Sequence, residues 1–338
     1  MLFQSTYGID LGTDTVKIYD HFSRRIIKEK NMAAVRGKDH VFAVGDEAYA
    51  MFERNPEDIR IVSPVSSGRI NNLLLTEAVL HTLLRRCGNH MRSRSVLYFS
   101  VPMEMTELER RAYASIAKKG QLRRCQVWMV EKPIADALAL GLSIRRTKGV
   151  MLISLGARNT ELAVIADKKV IINRMIPIGG DHLNDAISEG IMRRKQFLIS
   201  FRTAQRLKLS CVNLNEVPQE GRRLNGMDLD RSLPGTCVVQ AGMINAFVRE
   251  QLLTLTEEIR RFLDRIPPQV LQAVKNEGIY LTGGSARIPG IGEFMQEQLG
   301  CAVHVSGEYE LCTVNGLKQV ITHSELQHWA FAPRPRRM

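Results

Sequence analysis

Short bursts of apolar residues, broken by glycine- and aspartate-bearing turns, alternate along this chain with stretches where apolar residues recur every three or four positions. Tyr7-Gly8-Ile9-Asp10-Leu11-Gly12-Thr13-Asp14-Thr15-Val16-Lys17-Ile18-Tyr19 sets apolar residues on either side of a Gly/Thr/Asp cluster, which predicts strand, tight turn, strand. Leu73, Leu74, Ala78, Val79, Leu83 and Leu84 fall at helical spacing and predict a helix over 69–86. Residues 95–101 read as a buried strand ending at Pro102. A helix over 106–119 follows, with Thr106 and Glu109 placed as a capping box. Residues 127–130 form another short strand, and Pro133 takes the first-turn position that proline favours in a helix.

The opening pattern then returns. Residues 150–165 again read strand, small-residue turn, strand, and Ile153-Ser154-Leu155-Gly156 matches Ile9-Asp10-Leu11-Gly12, which implies an internal duplication. Helices are predicted over 181–194 and 201–209, and a small sheet in the polar, glycine-bearing stretch 213–239. A long amphipathic helix over 240–263 stops before Pro267-Pro268. A strand running into a glycine turn covers 278–285, and a helix covers 290–299. Residues 329–338 hold Pro333, Pro335 and three arginines and are expected to be mobile. Strands alternating with helices, and one motif used twice, give an α/β chain of two similar halves with a ligand cleft expected between them.

Composition narrows the class. The chain has 338 residues, 44% hydrophobic and 24% charged, and its length suits two domains of about 100–200 residues. No run approaches the ~20 apolar residues of a membrane-spanning helix. The opening Met1 to Thr6 lacks the basic stretch and apolar core of a secretory signal, so a cytoplasmic chain is expected. Cysteines 87, 125, 211, 237, 301 and 312 contain no CxxC pair, which fits reduced core residues better than zinc or disulfides. The formal charge is +12, with basic pairs such as Arg85-Arg86, Arg123-Arg124, Arg145-Arg146 and Arg193-Arg194 spread along the chain. They lack the aromatic interleaving of a single-strand platform, and no nucleic-acid partner is expected. Attraction to an anionic membrane surface and a merely solvated basic face both remain open.

Three glycine turns carry candidate chemistry. Glycine permits positive φ and close backbone approach, and successive N–H groups make a concavity for phosphate oxygens. A carboxylate at the end of the first strand can hold the waters of a magnesium ion. Asp10, Gly12, Thr13 and Thr15 are placed for these roles. One such turn is common among hairpins; three in the right order are specific. Residues 8–13 resemble the first phosphate motif of the actin-like ATPases, residues 152–165 the second, and Ile279-Tyr280-Leu281-Thr282-Gly283-Gly284 the adenosine motif. From about residue 7 to residue 320 the chain resembles the MreB/Mbl rod-shape-determining family. The likeness runs through Ala43-Val44-Gly45-Asp46-Glu47-Ala48, Val101-Pro102, Thr106 to Ala112, Gly179-Gly180-Asp181, Arg202-Thr203-Ala204 and Gly300 to Val305.

The resemblance implies an α/β actin-like ATPase fold: two similar halves, duplicated RNase H-like domains each with a small inserted subdomain, and a nucleotide cleft between them. It places the first half at 1–148 with its small subdomain near 31–65, and the second at 149–325 with its small subdomain near 182–240. A basic flexible tail takes 326–338. ATP or ADP with Mg2+ is implied as cofactor, with Asp10 reaching the metal through water. The implied nucleotide contacts are Asp10, Gly12, Thr13, Asp14, Thr15, Gly156, Arg158, Asn159, Thr160, Gly179, Gly180, Asp181, Gln205, Lys208, Gly283, Gly284, Ser285 and Gly316. Filaments of like subunits, cell-wall synthesis and membrane-morphogenesis partners, and the inner face of the cytoplasmic membrane are implied with them.

The chain departs from that family at two turns. The second phosphate turn, typically Asp-x-Gly-Gly-Gly-Thr-Thr, reads Ser154-Leu155-Gly156-Ala157-Arg158-Asn159-Thr160. Positive φ at Ala157 or Arg158 would be strained, and Arg158 either offers its guanidinium to a phosphate or points to solvent. The glutamate that in the family precedes the proline of the helix at Pro133, where it orients the hydrolytic water, is Lys132. An ammonium cannot accept a proton, and Glu131, one residue earlier, would project differently. The family's ribose-contacting glutamate falls at Gln205, a mild change, with Lys208 kept.

Three functions compete on these grounds. The first is a shape-determining filament subunit that binds ATP with impaired hydrolysis. The second is a nucleotide-independent pseudo-ATPase that regulates or co-assembles with a catalytically intact MreB paralogue. The third, a sugar kinase or chaperone ATPase, is disfavoured because the length leaves no room for its substrate domain.

Overall fold

The computed structural model describes residues 5–37, 40–52, 54, 58–66, 68–88, 94–117, 122–216 and 219–333. The chain divides into two compact units, Met1–Ser143 with Leu311–Met338, and Ile144–Glu310.

The first unit opens with the antiparallel hairpin β1 (Thr6–Leu11) and β2 (Thr15–Asp20), extended by β3 (Arg25–Lys30). A small three-stranded sheet follows, built from β4 (Ala33–Arg36), β5 (His40–Val44) and β6 (Ile59–Val62), with the short helix α1 (Asp46–Met51) beside it. The pair β7 (Val65–Ser66) and β8 (Arg69–Ile70) leads into α2 (Leu73–Arg86). This helix begins later than its periodicity predicts because Asn72 caps it, accepting the Leu75 N–H at 3.0 Å. Next come β9 (Val96–Val101), α3 (Glu107–Ala117), β10 (Gln126–Glu131) and α4 (Lys132–Ala139). The capping box forms as expected: the Thr106 N–H donates to Glu109 at 2.7 Å and the Glu109 N–H to the Thr106 hydroxyl at 3.2 Å. β9 and β10 run parallel to β1, giving the sheet order β10-β9-β1-β2-β3.

The second unit repeats this plan. Its hairpin is β11 (Val150–Leu155) and β12 (Thr160–Ala166), extended by β13 (Lys169–Ile176). Then follow α5 (Gly180–Lys195), β14 (Phe197–Leu198), α6 (Phe201–Cys211), β15 (Gly221–Asp228), β16 (Leu233–Gln240), α7 (Ala241–Leu263) and α8 (Pro268–Glu277). β17 (Ile279–Thr282), α9 (Ile291–Leu299) and β18 (Val303–Val305) complete it. The large sheet has the order β13-β12-β11-β17-β18, with β17 parallel to β11 and β18 parallel to β17. Strand for strand it matches the first sheet, so the duplication read from the two turns extends to topology. Each unit has its own core: Ile9, Leu80, Leu83, Leu97, Phe99 and Tyr113 in the first, Ile153, Val164, Ile187, Val248 and Leu281 in the second.

The last segment departs from expectation. Residues to 325 were assigned to the second half, whereas everything from Leu311 packs in the first unit. The buried face of α10 (Cys312–Thr322), with Val314, Leu317 and Val320, lies on α4 and β1. A Cβ on Gly8 would meet the Leu317 Cβ at 3.0 Å, so the glycine in β1 lets the helix settle onto the strand. The tail is also held at Phe331. Phe331 exchanges two backbone bonds with Met129, at 2.8 and 2.9 Å, and Arg110 lies 5.4 Å from the centre of its ring. Arg334, Arg336 and Arg337 lie outside the described residues. Among the described residues no helix is long and apolar enough to cross a membrane.

Candidate functional site

In the first unit, hairpin register places the chemistry. Asp10 pairs across β1 and β2 with Lys17 and, on the other side of β1, with Ser100 of β9. Lys17 Nζ donates to Asp10 Oδ2 at 3.0 Å and Ser100 Oγ to Oδ1 at 2.8 Å. All three residues are buried. β10 continues the same row, with Val130 beside Ser100. Two residues further on, Lys132 opens α4 at the carboxyl end of that strand, the end where open α/β sheets take their ligands. Burial alone would push the Asp10 carboxyl up. The charges of Lys17 and Lys132 and the bonds from Lys17 and Ser100 outweigh it and hold the carboxyl below its ordinary range.

The turn after β1 is closely packed. A Cβ on Gly12 would come within 2.7 Å of the Thr15 carbonyl oxygen and 3.2 Å of Lys17 Nζ. Gly12 therefore serves close approach, not a positive φ. Asn31 Nδ2 donates to the Gly12 carbonyl at 2.8 Å, and Lys30 holds the Asp14 carboxylate at 2.8 and 2.9 Å. Asp14 is thus committed to a lysine beside the turn.

The second unit carries the matching row with different chemistry. Ser154 stands where Asp10 stands, paired with Glu161 in place of Lys17 and Thr282 in place of Ser100. The start of α5 sits directly on the turn. The Gly180 N–H donates to the Gly156 carbonyl at 2.9 Å and the Asp181 N–H to the Ala157 carbonyl at 2.6 Å. Two of the N–H groups that a helix start would offer to an anion are therefore used internally. Neither Ala157 nor Arg158 has a positive φ, so the strain expected from the lost glycines is absent. The Arg158 guanidinium lies 3.4 Å from the Asp181 carboxylate. The Thr160 hydroxyl donates to the Ile178 carbonyl at 2.7 Å, and Asn159 Nδ2 lies 2.8 Å from the Met175 sulfur.

The remaining expected contacts of this unit gather around the same turn. Lys208 Nζ donates to the Gly180 carbonyl at 2.7 Å, with Gln205 one turn earlier on α6. Ser285 Oγ reaches the Gly156 carbonyl at 3.4 Å. Gly283 has φ +90°, and any Cβ there would strike the Leu155 backbone. Gly284 has open space, its nearest neighbour being the Glu310 Cβ at 3.9 Å. Gly316 is closely packed. It lies inside α10 in the first unit, where a Cβ would run into the Ala135 carbonyl of α4.

A sequence model of the family described as MreB/Mbl protein matches residues 4–328. This chain belongs to the MreB/Mbl family. The cell shape-determining protein MreB of Escherichia coli K12 is 28% identical over 325 residues, covering 93% of this chain and 92% of that protein. The cell shape-determining protein Mbl of Bacillus subtilis 168 is 27% identical over 318 residues, covering 93% and 95%. Among solved structures, MreB5 of Spiroplasma citri bound to ADP superposes with a TM-score of 0.88 at 23% identity, covering 97% of this chain and 99% of that one. A MamK double helical filament gives 0.78 at 16% identity, covering 95% and 99%. The fold is actin-like.

The magnesium expectation rests on Asp10. A magnesium ion keeps most of its waters and needs carboxylate oxygens to receive them. Each Asp10 oxygen accepts one bond, from Lys17 or from Ser100, and each has a second acceptor position. Among the described residues no three His, Cys, Asp or Glu side chains cluster to hold a metal, so a magnesium ion here would be held through water and phosphate oxygens. The Asp10 carboxylate fits that role, and the backbone-lined turn with Lys17 beside it fits a polyphosphate. Sequence reasoning passed over Lys17, Ser100, Glu161 and Thr282. A symmetric register through the Gly12-Thr13-Asp14-Thr15 turn would have put Lys17 opposite Asp10; the β9 and β17 partners have no local signal.

Proposed function

We propose that this chain is a filament-forming, shape-determining subunit that holds a nucleoside triphosphate and does not cleave it. Support for holding nucleotide comes from MreB5 of Spiroplasma citri, whose solved structures carry ADP or AMPPNP. Lys17, beside the first turn of this chain, adds to it. Support for assembly comes from MamK, solved as a double helical filament. Gly12, Thr13, Lys17 and Lys132 would hold phosphate oxygens in the first unit, with Asp10 orienting Lys17, and Gly156, Lys208, Gly284 and Ser285 lie around the corresponding turn of the second.

The absence of cleavage rests on Lys132. Phosphoryl transfer needs a residue that orients the attacking water and accepts from it, and an ammonium has donors only. Lys132 also stands in the first turn of α4, where a positive charge opposes the helix dipole. A residue that breaks a local rule in this way points to a role outside local stability. Ser154, buried and neutral, offers no carboxylate in the second unit. Glu131 is the half-buried cap of α4; burial pushes its carboxyl up, with the nearby Arg110 charge opposing.

The test is phosphate release beside a calorimetric ATP titration, with a catalytically intact MreB for comparison. The expected result is binding without release. Release at the rate of the intact protein, abolished by Asp10→Ala, overturns the reading. Sedimentation alone and with the intact MreB tests assembly: pelleting alone supports a filament subunit, pelleting only with the partner supports the co-assembling pseudo-ATPase. A strictly monomeric chain in both mixtures defeats either form. The proposal extends to an anionic membrane surface, on the strength of the +12 charge. Flotation with acidic liposomes should fall as salt rises and when Arg334, Arg336 and Arg337 become glutamine; unchanged flotation removes that part.

A further inference from the structure

The two hairpin turns share one contact and make it by different means. Gly12 and Gly156 occupy the same place, each directly after the first strand of its unit. In both units the carbonyl of that glycine is held by the segment that follows the third strand. In the second unit this segment starts α5, and the Gly180 N–H donates to the Gly156 carbonyl at 2.9 Å. In the first unit no helix starts there, because the chain passes from β3 straight into the small sheet. Asn31 Nδ2 instead donates to the Gly12 carbonyl at 2.8 Å. A side-chain amide does in the first unit what a helix start does in the second.

Asn31 is held in place to do this. It is buried, and its own N–H donates to the Asp14 carbonyl at 2.8 Å, so one residue holds two carbonyls of the same turn. Its neighbours are anchored at the junction of β5 and α1. The Lys30 N–H donates to Asp46 Oδ1 at 2.9 Å, and the Met32 carbonyl accepts the Gly45 N–H at 2.9 Å. The Lys30 ammonium adds its bonds to the Asp14 carboxylate at 2.8 and 2.9 Å. In a planar trans peptide the N–H points opposite to the carbonyl. With the Gly12 and Asp14 carbonyls drawn to Asn31, the N–H groups of Thr13 and Thr15 are turned away from it.

We propose that Asn31 is a positioning residue for the first phosphate turn. Its amide fixes the Gly12–Thr13 peptide with the carbonyl towards the small sheet and the N–H towards a bound phosphate. This rests on the nucleotide-holding reading above and assigns a further residue to the same site. Phosphate oxygens are received by N–H groups, and a carbonyl turned to the same side would oppose them. Without the Asn31 amide the Gly12 carbonyl loses its donor, and the peptide no longer has a reason to keep one orientation. Asn31 itself touches no phosphate; it acts through the turn.

The experiment is a calorimetric titration of the full chain with ATP in magnesium buffer, comparing wild type with Asn31→Ala, each beside its melting curve. Folded Asn31→Ala should bind ATP about three- to tenfold more weakly. A loss of less than about threefold overturns the proposal while leaving nucleotide binding intact. The second readout follows the peptide itself, in a chain labelled with 15N-threonine whose Thr13 amide signal is identified by its loss in Thr13→Ser. On saturation with ATP that signal should move downfield in the wild type, since the N–H gains a charged acceptor, and move less in Asn31→Ala. A Thr13 signal that stays in place in ATP-saturated wild type overturns the proposal, and it decides alone should Asn31→Ala fail to fold. Absence of ATP binding by the wild type overturns this proposal and the nucleotide-holding reading together.

Discussion

Replacing Lys17 with methionine removes one half of the buried Asp10–Lys17 pair and leaves its carboxylate inside the first unit. The charges are 3.0 Å apart, and both side chains are only 8% exposed. At an effective dielectric constant of about 20 their gross attraction is about 5–6 kcal/mol. Much of that is offset by the cost of taking two charges out of water, so the pair as a whole contributes little net stability. Breaking it is another matter: a buried charge stripped of its partner costs about 3–5 kcal/mol. Ser100 and the more distant Lys132 remain to Asp10, which favours the low end, about 3 kcal/mol. For a cooperative unit of this size that is a melting-temperature loss of about 6–12 °C. Asp10→Asn should cost a similar amount by stranding Lys17, and the double variant should recover most of the loss. The acid side gives a second signature. The folded-state Asp10 carboxyl lies below its ordinary value. Its contribution is therefore complete at neutral pH and is lost as pH falls from the ordinary carboxylate range through the depressed folded value. Without Lys17, burial pushes the carboxyl the other way. The gap between wild type and Lys17→Met should then narrow as pH falls from 7 towards about 4. Thermal and urea melts of the wild type, both single variants and the double variant measure all of this. A neutral-pH melting temperature for Lys17→Met within about 2 °C of wild type, or a double variant worse than the sum of the singles, would refute the reasoning.

Three other outcomes are expected. Gly316→Ala drives a Cβ into the Ala135 carbonyl and should cost about 1–3 kcal/mol by overpacking, read by melting, whereas Gly284→Ala, with its nearest neighbour at 3.9 Å, should change stability by less than about 0.5 kcal/mol. Lys132→Glu, Ser154→Asp, Ala157→Gly and Arg158→Gly together should raise phosphate release above the combined effect of the single changes and make it magnesium-dependent; a quadruple variant as silent as the wild type would mean that the block lies elsewhere. Ending the chain after Trp329 removes the two Phe331–Met129 backbone bonds and should cost about 2 kcal/mol, while ending it after Ala332 should be neutral in the same melts.

Much of the molecule was legible along the chain because its signals are local. Helix starts near Thr106, Pro133 and Asp181, the stop before Pro267 and the two hairpins each depend on a window of a few residues, where cap chemistry, periodicity and turn residues act directly. The repeated Gly-bearing turn was enough to expect two similar halves, and two sheets of matching strand order resulted. What only the tertiary structure decided are meetings between distant segments. The periodicity of α10 marks its buried face but not the unit that receives it, and apolar contact with α4 and β1 drew it to the first. Gly316 has no local sign of its neighbour, and only the fold brings the Ala135 carbonyl of α4 beside it. Arg158 meets Asp181 because α5 starts on its turn. Lys17 became the partner of Asp10 through strand register, with Ser100 arriving from a strand ninety residues away. Local propensity is written residue by residue, but which buried charge faces which depends on how whole strands align. At the first turn that alignment set two lysines around one carboxylate.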